Sequence, residues 1–338
     1  MALESIRDAS EVLSRLLERG RSTVAGRLAG AFRHVNRADI ADEIMKTMKT
    51  AGFDVRESNP FSQEQPIDIP ARPNPPIVTR LQALWEASRS TVLEVFPDAP
   101  GLPGDKDAYL KSIDEIYSTD AYNSLSIEGY SVSMELIEQI RSGVWNPDSV
   151  EADRNQRDAL AARGYWQAFQ NVKANAAAII AGANPGHLVR TSHRDWYREL
   201  FQPCAVAGLI DIAALAGYRN DAVYLRKSRH VPPRWEAVRD AMPALFDLIE
   251  NEPSPAVRAV LGHWLFGYVH PYPDGNGRIA RFLMNAMLAS GGYPWTVIRL
   301  EDRDAYLAGL EAASVNTEIR PFAMLLAASM KRPEGLAR

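Results

Sequence analysis

Between His270 and Arg281 the chain reads HPYPDGNGRIAR, bringing a histidine, an acid, two glycines and two arginines into twelve residues. An unperturbed histidine titrates near neutral pH, so His270 can accept a proton from an alcohol. Asp274 offers the hard oxygen that Mg²⁺ beside a polyphosphate takes. Gly275 and Gly277 permit backbone conformations closed to other residues, and Pro271 and Pro273 fix theirs. If a helix begins here, its first N–H groups form an anion nest at the positive end of the helix dipole. Arg278 and Arg281 lie one helical turn apart and can both face that nest. This set of groups suits phosphate transfer. The same residues also make a good surface turn, and on loop chemistry alone the two readings stand level. No Gly-Lys-Ser/Thr follows the glycines, so this is not a Walker A loop. His263 and His270 lack a third ligand, which argues against zinc.

The flanking elements must place that loop. Val257, Val260, Leu261, Trp264, Leu265 and Tyr268 form one apolar helical stripe ending near His270; Ile279, Phe282, Leu283, Ala286 and Met287 form another beginning after Gly277. The loop therefore joins two core helices. From Val78 onward apolar residues recur mostly at helical spacing, with VYLRKSRHV as the one extended stretch. Upstream, three short helices are expected before Gly52, with FDVRE as a strand, and SNPFSQEQPIDIPARPNPPI reads as an extended linker. The expected organisation is a small module over 1–57, a proline-rich linker over 58–77 and a mainly α catalytic region over 78–338.

Composition narrows the class. A net charge of −4 gives no global pull toward nucleic acid, and 46% hydrophobic residues suit a globular domain with a large core. Cys204 is the sole cysteine, which excludes internal disulfides and cysteine zinc clusters. The charged start MALESIRDASEV is unlike a signal peptide and no run has the length of a membrane helix, so a cytoplasmic protein without a membrane anchor is expected.

The His270–Arg281 run resembles the Fic family signature, His-Pro-Phe-x-Asp/Glu-Gly-Asn-Gly-Arg-x-x-Arg, departing only at Tyr272, where an added hydroxyl calls for a hydrogen-bond partner. The resemblance, which spans roughly Tyr109 to Leu326, implies a Fic-type helical bundle with a small β-hairpin flap. It also implies transfer of AMP from ATP to a Ser, Thr or Tyr hydroxyl of a target protein. By that resemblance His270 is the base and Asp274 holds Mg²⁺. Gly275, Asn276 and Gly277 cradle phosphate oxygens, Arg278 meets the β-phosphate and Arg281 the γ-phosphate. Intact Asp274 and Gly-Asn-Gly-Arg speak against relatives that move a phosphoryl or phosphocholine group.

Further upstream, SLSIEGYSVS resembles the family's inhibitory motif, Ser/Thr-x-x-x-Glu-Gly/Asn, at Ser124, Glu128 and Gly129, in a helix expected over about 118–129. The resemblance pairs Glu128 with Arg281, an autoinhibitory carboxylate in the γ-phosphate's place; in some relatives the same Glu supports removal of AMP. Residues 217–233 resemble the flap, with Val223, Tyr224 and Leu225 as strand residues for docking a target segment. Tyr306 is expected near the nucleotide base. The N-terminal module is compatible with a winged-helix-like DNA binder, a docking module or a surface for a homo-oligomer. Its basic residues Arg27, Arg33, Arg37, Lys46 and Lys49 are nearly balanced by acids, which disfavours DNA. Met45 and Met48 are expected in its core.

Overall fold

The structure, a computed structural model, describes residues 6, 9–61, 74–145 and 153–332. It divides into two compact units at 73/74. In the first, α1 (Ser10–Glu18), α2 (Ser22–His34) and α3 (Ala38–Thr50) close around Leu13, Leu16, Phe32, Ile40, Ile44 and Met48, with Met45 against the edge. Residues 53–57 were expected as a strand but form none. They lie against α2, where Ser58 N–H donates to Gly26 O at 3.1 Å. The approach depends on missing side chains: a Cβ on Gly26 would stand 1.9 Å from Arg56 O, and one on Gly30 2.1 Å from Ser58 O. The backbone pairs with a helix instead of a strand, so the described residues contain no wing. Arg33 is taken by Glu57 at 2.6 Å and Asp42 at 2.7 Å. Most of the expected linker lies outside the described residues.

The second unit contains α4 (Pro76–Val95), α5 (Lys106–Ile127), α6 (Met134–Arg141), α7 (Asp153–Ile180), α8 (Pro185–Val206), α9 (Trp235–Asn251), α10 (Pro255–Val269), α11 (Asn276–Ala289), α12 (Arg303–Asn316) and α13 (Arg320–Ser329). Helix starts follow sequence: Asp105, Ser133, Asn184 and Ser254 each accept a first-turn N–H, and prolines occupy the first turns of α4, α8, α10 and α13. Helix α10 is apolar on nearly every side and α11 is buried at every residue but Gly277, so this pair forms the centre. Around it pack α4, α5, α7, α8, α9, α12 and α13. No helix among the described residues is long and apolar enough to cross a membrane.

An ion pair ties α4 to the turn entering α10. Glu252, buried, accepts from Arg89 Nε at 2.8 Å and Nη2 at 3.0 Å and from Trp85 Nε1 at 3.3 Å. Burial alone would raise this carboxyl, but the hydrogen bonds from Arg89, Ser254 and Trp85 outweigh it and hold the pKa below the ordinary range. A depressed carboxyl stabilises the fold above its unfolded pKa and loses that contribution as pH falls through the folded value. Glu252→Gln is therefore expected to cost about 2 kcal/mol in urea unfolding at pH 7, with a smaller difference from wild type below about pH 4.

The expected flap hairpin is corrected by the structure. Residues 217–233 form no strand; Val223, Tyr224 and Leu225 run without a ladder partner, and a turn at Leu225–Ser228 includes Lys227 at φ +60°. An isolated two-stranded ribbon is marginal. This segment is fastened by side chains instead. Arg229 N–H donates to Glu311 Oε1 at 2.8 Å, Ser228 bonds the same carboxylate, and His230 Nε2 meets Tyr268 O at 2.9 Å.

Candidate active site

The last turn of α10 ends on His270, whose left-handed backbone (φ 50°) swings the chain into the loop. Gly275, at φ +79°, is the N-cap of α11, and a Cβ there would reach 2.7 Å from Phe201. The loop's shape is locked from within. Tyr272 N–H donates to Asn276 Oδ1 at 2.9 Å, and Asn276 Nδ2 donates to Tyr272 O at 2.8 Å. The buried Asn276 side chain, expected to help hold the phosphate, clamps the loop backbone through Oδ1 and one Nδ2–H. The first-turn N–H groups of α11 have no intrahelical acceptors and face the nest.

His270 Nδ1 lies 3.4 Å from Gly267 O. A carbonyl only accepts, so the proton belongs on Nδ1 and Nε2 keeps its lone pair. Burial, reinforced by Arg219, pushes this imidazole down to about 4. It is neutral at physiological pH and can take a proton.

Arg278 is 1% exposed, yet none of its three nitrogens has a hydrogen-bond partner. Its guanidinium is held between two rings, 5.0 Å from the Tyr130 centroid and 4.9 Å from Phe201. Among the described residues its one ion pair is with Asp274 Oδ2, at 3.5 Å, and the Glu128 carboxylate adds a more distant counter-charge. An orphaned buried cation beside a helix N-terminus calls for an anion, because unmade hydrogen bonds to a buried charge cost several kcal/mol, about 3 or more.

Arg281 is also buried, with Nε and Nη2 engaged and Nη1 left without a partner. Its Nε donates to Ser124 Oγ at 2.8 Å, and Nη2 to Ser124 O at 3.0 Å and Glu128 Oε1 at 2.7 Å. Burial opposes this charge, Glu128 more than offsets it, and the net pKa rises. The Glu128 carboxylate also lies over the first turn of α11, where a Cβ on Gly277 would stand 2.2 Å from Oε1. A carboxylate of this chain thus faces the anion nest.

Local chain geometry places that carboxylate. Helix α5 ends at Ile127, Gly129 N–H bonds Ser126 O at 3.0 Å, and Tyr130 N–H bonds Leu125 O at 3.1 Å, with Gly129 at φ +89°. This is a Schellman end, which needs a left-handed residue. Arg303 Nε donates to Ile127 O at 3.0 Å and pins the turn from outside. A Cβ on Gly129 would touch nothing, so Gly129→Ala is expected to lower stability by about 1 kcal/mol through backbone strain alone, readable as a fall in Tm.

Sequence reasoning missed the groups behind Arg281. Asp120, one turn before Ser124, accepts from Tyr165 OH at 2.7 Å, and burial pushes its carboxyl up to about 6. On the other side Tyr306 is buried beside Arg281, its hydroxyl 2.8 Å from His263 Nε2. Tyr306, expected near the nucleotide base, thus belongs to this cage. Arg219 was missed too. Its Nε donates to His270 O at 2.8 Å, its backbone N–H to Pro271 O at 2.8 Å and its Nη1 to Asp221 O at 2.9 Å, so it ties residues 217–233 to the loop. Tyr272 stacks on Tyr197 at 4.0 Å, but its buried hydroxyl lacks the partner expected of it. Val223, Tyr224 and Leu225 lie in the coil, and Tyr224 is 76% exposed.

Comparison with known proteins agrees with this geometry. The Fic/DOC family model matches residues 187–288, which include the loop and both helices around it. Residues 187–288 are a Fic/DOC domain. Over 119 residues, 34% of this chain and 27% of that protein, the chain is 40% identical to Protein adenylyltransferase Fic of Nematostella vectensis. It is 32% identical to Protein adenylyltransferase fic-1 of Caenorhabditis elegans over 124 residues, 36% of this chain and 24% of that protein. The match thus spans about a quarter of the length of these curated relatives. In fold, a Fic-1 fragment from Caenorhabditis elegans aligns with 94% of this chain and 89% of its own at a TM-score of 0.55 and 17% identity. A Fic domain containing signaling protein from Bacteroides thetaiotaomicron aligns with 75% of this chain and 92% of its own at a TM-score of 0.50 and 20% identity. Around this Fic domain, α5 supplies Ser124 and Glu128 and the turn after it supplies Tyr130, all from outside the matched segment.

Proposed function

We propose that the chain is an autoinhibited protein adenylyltransferase, moving AMP from ATP to a Ser, Thr or Tyr hydroxyl of a target protein and of itself. The observation that carries the reading is the buried Arg278 without hydrogen-bond partners at the N-terminus of α11, next to a neutral His270. Helix amides and Arg278 bind and orient the phosphates. His270 Nε2 takes the proton of the acceptor hydroxyl. The oxygen bonds to the α-phosphorus as the bond to the bridging oxygen breaks, and pyrophosphate carries away the electron pair. Positioning and charge stabilisation supply most of the rate.

The residues present fit Mg²⁺ of the substrate-assisted kind. Asp274 is 60% exposed at the rim, and no group of three or more metal-ligating side chains occurs among the described residues. Mg²⁺ is often held by one carboxylate with phosphate oxygens and water, and Asp274 would hold it so. There it would neutralise polyphosphate charge.

Glu128 is the brake in this reading. Its carboxylate occupies the first turn of α11 and takes Arg281, which would otherwise meet the terminal phosphate, and it repels a polyphosphate at that place. Intact-mass spectrometry of Glu128→Gly after incubation with ATP and Mg²⁺ tests the reaction. Addition of adenylyl groups, mapped to hydroxyl side chains, is expected; phosphoryl addition or an unchanged mass contradicts it.

A further inference from the structure

Beside the loop lies an open cavity of about 770 Å³ between α8, α9 and residues 213–220, with Pro273 of the loop in its wall and neither Arg278 nor Arg281 in its lining. Arg190, Arg194, Arg219 and Arg239 line it, and no carboxylate does. Two of the four are engaged by carboxylates or backbone carbonyls, and Arg194 also hydrogen-bonds the Tyr218 side chain. Arg190 pairs with Asp247 at 2.5 Å and Glu250 at 3.0 Å, and the buried Arg219 is engaged with backbone carbonyls. The other two meet no carboxylate among the described residues. Arg194 stands 5.1 Å above the Tyr218 ring, and Arg239 lies 6.0 Å from the Trp235 ring. Both are exposed. Stacking on an aromatic face leaves a guanidinium's edge N–H groups free for a carboxylate.

We propose that this cavity is a substrate-specificity subsite that receives an acidic side chain of the target segment, close to the acceptor hydroxyl. The inference rests on the adenylyl-transfer reading for its place in the reaction. Continuity supports it: Arg219 lines the cavity and also bonds the His270 carbonyl, so wall and base share one residue. Residues 217–220 and Pro273 both line the cavity, so its wall is continuous with the loop that carries His270. Charge complementarity selects an acidic residue there, and it steers encounter more than it adds affinity. The nucleotide is not the occupant, because the orphaned phosphate ligands lie at α11 and none lines this cavity.

The test is fluorescence anisotropy of the full chain with two dye-labelled peptides, identical except that one carries Glu where the other carries Gln. The Glu peptide is expected to bind at least about tenfold tighter at low salt, with the advantage shrinking as salt rises. Arg194→Gln with Arg239→Gln is expected to abolish the difference without weakening the Gln peptide. Equal binding of the two peptides, or a preference that survives the double variant, overturns the subsite. Self-labelling of the same preparations, in the Glu128→Gly background, separates the two ideas. Label without a peptide preference sinks the subsite alone, and a peptide preference without label sinks the transfer reading alone.

Discussion

Replacing Glu128 with glycine is expected to raise ATP-dependent pyrophosphate release by about 10- to 100-fold, the range of a coupling free energy between two sites. The reason is local. Glu128 bonds Arg281 at 2.7 Å and lies over the first turn of α11, where in the proposed reaction it would compete with a triphosphate for both the guanidinium and the helix amides. Removing it does not release Arg281, because Ser124 Oγ and Ser124 O still hold Nε and Nη2. The cation remains aimed while its counter-charge is gone, so the terminal phosphate becomes the best remaining partner. Glycine suits the position as well, since the helix already ends there. Rate of pyrophosphate release by equal concentrations of the two proteins is the measurement. A rate unchanged or lowered in Glu128→Gly contradicts the brake.

Replacing His270 with alanine in the Glu128→Gly background is expected to lower adenylyl labelling by about 10²- to 10⁴-fold, the usual contribution of a general base. A pH profile distinguishes loss of a base from loss of loop shape. The base works when neutral, and burial places its titration at about 4, against about 6.5 for an exposed histidine. Labelling by Glu128→Gly is thus expected to stay level as pH falls from 8 to about 5 and to drop below that as His270 protonates. A fall centred near 6.5 would mean that the imidazole is solvated in the working enzyme, and labelling that survives His270→Ala would remove it from the chemistry.

How much of this was legible beforehand depended on distance along the chain. The loop and its flanking helices are contiguous, so helical apolar stripes on either side of PDGNG were enough to place a helix start near Gly277, one residue from the observed Asn276. The contact between Glu128 and Arg281 joins residues 153 apart, and no periodicity connects them; only the likeness of SLSIEGYSVS to an inhibitory motif did so. Tyr130 and Phe201 around Arg278, and Tyr306, His263 and Asp120 behind Arg281, come together from separate helices by tertiary packing alone. The extended stretches misled for another reason. FDVRE and VYLRKSRHV have β-branched and aromatic residues, but propensity forms a strand only where an edge is free to pair. One lies against the glycines of α2, and the other is held by Glu311 and by the Tyr268 carbonyl. Asn276 shows the same limit at a single residue. Its type suggested a phosphate ligand, and its surroundings make it the clamp of the loop.

The most direct measurement is labelling with α-phosphate-labelled ATP and Mg²⁺ of four proteins side by side: wild type, Glu128→Gly, His270→Ala and the double variant. Faint label in wild type, strong label in Glu128→Gly and none in either protein lacking His270 is the expected result. A dark Glu128→Gly lane, or equal label with and without His270, would contradict the account.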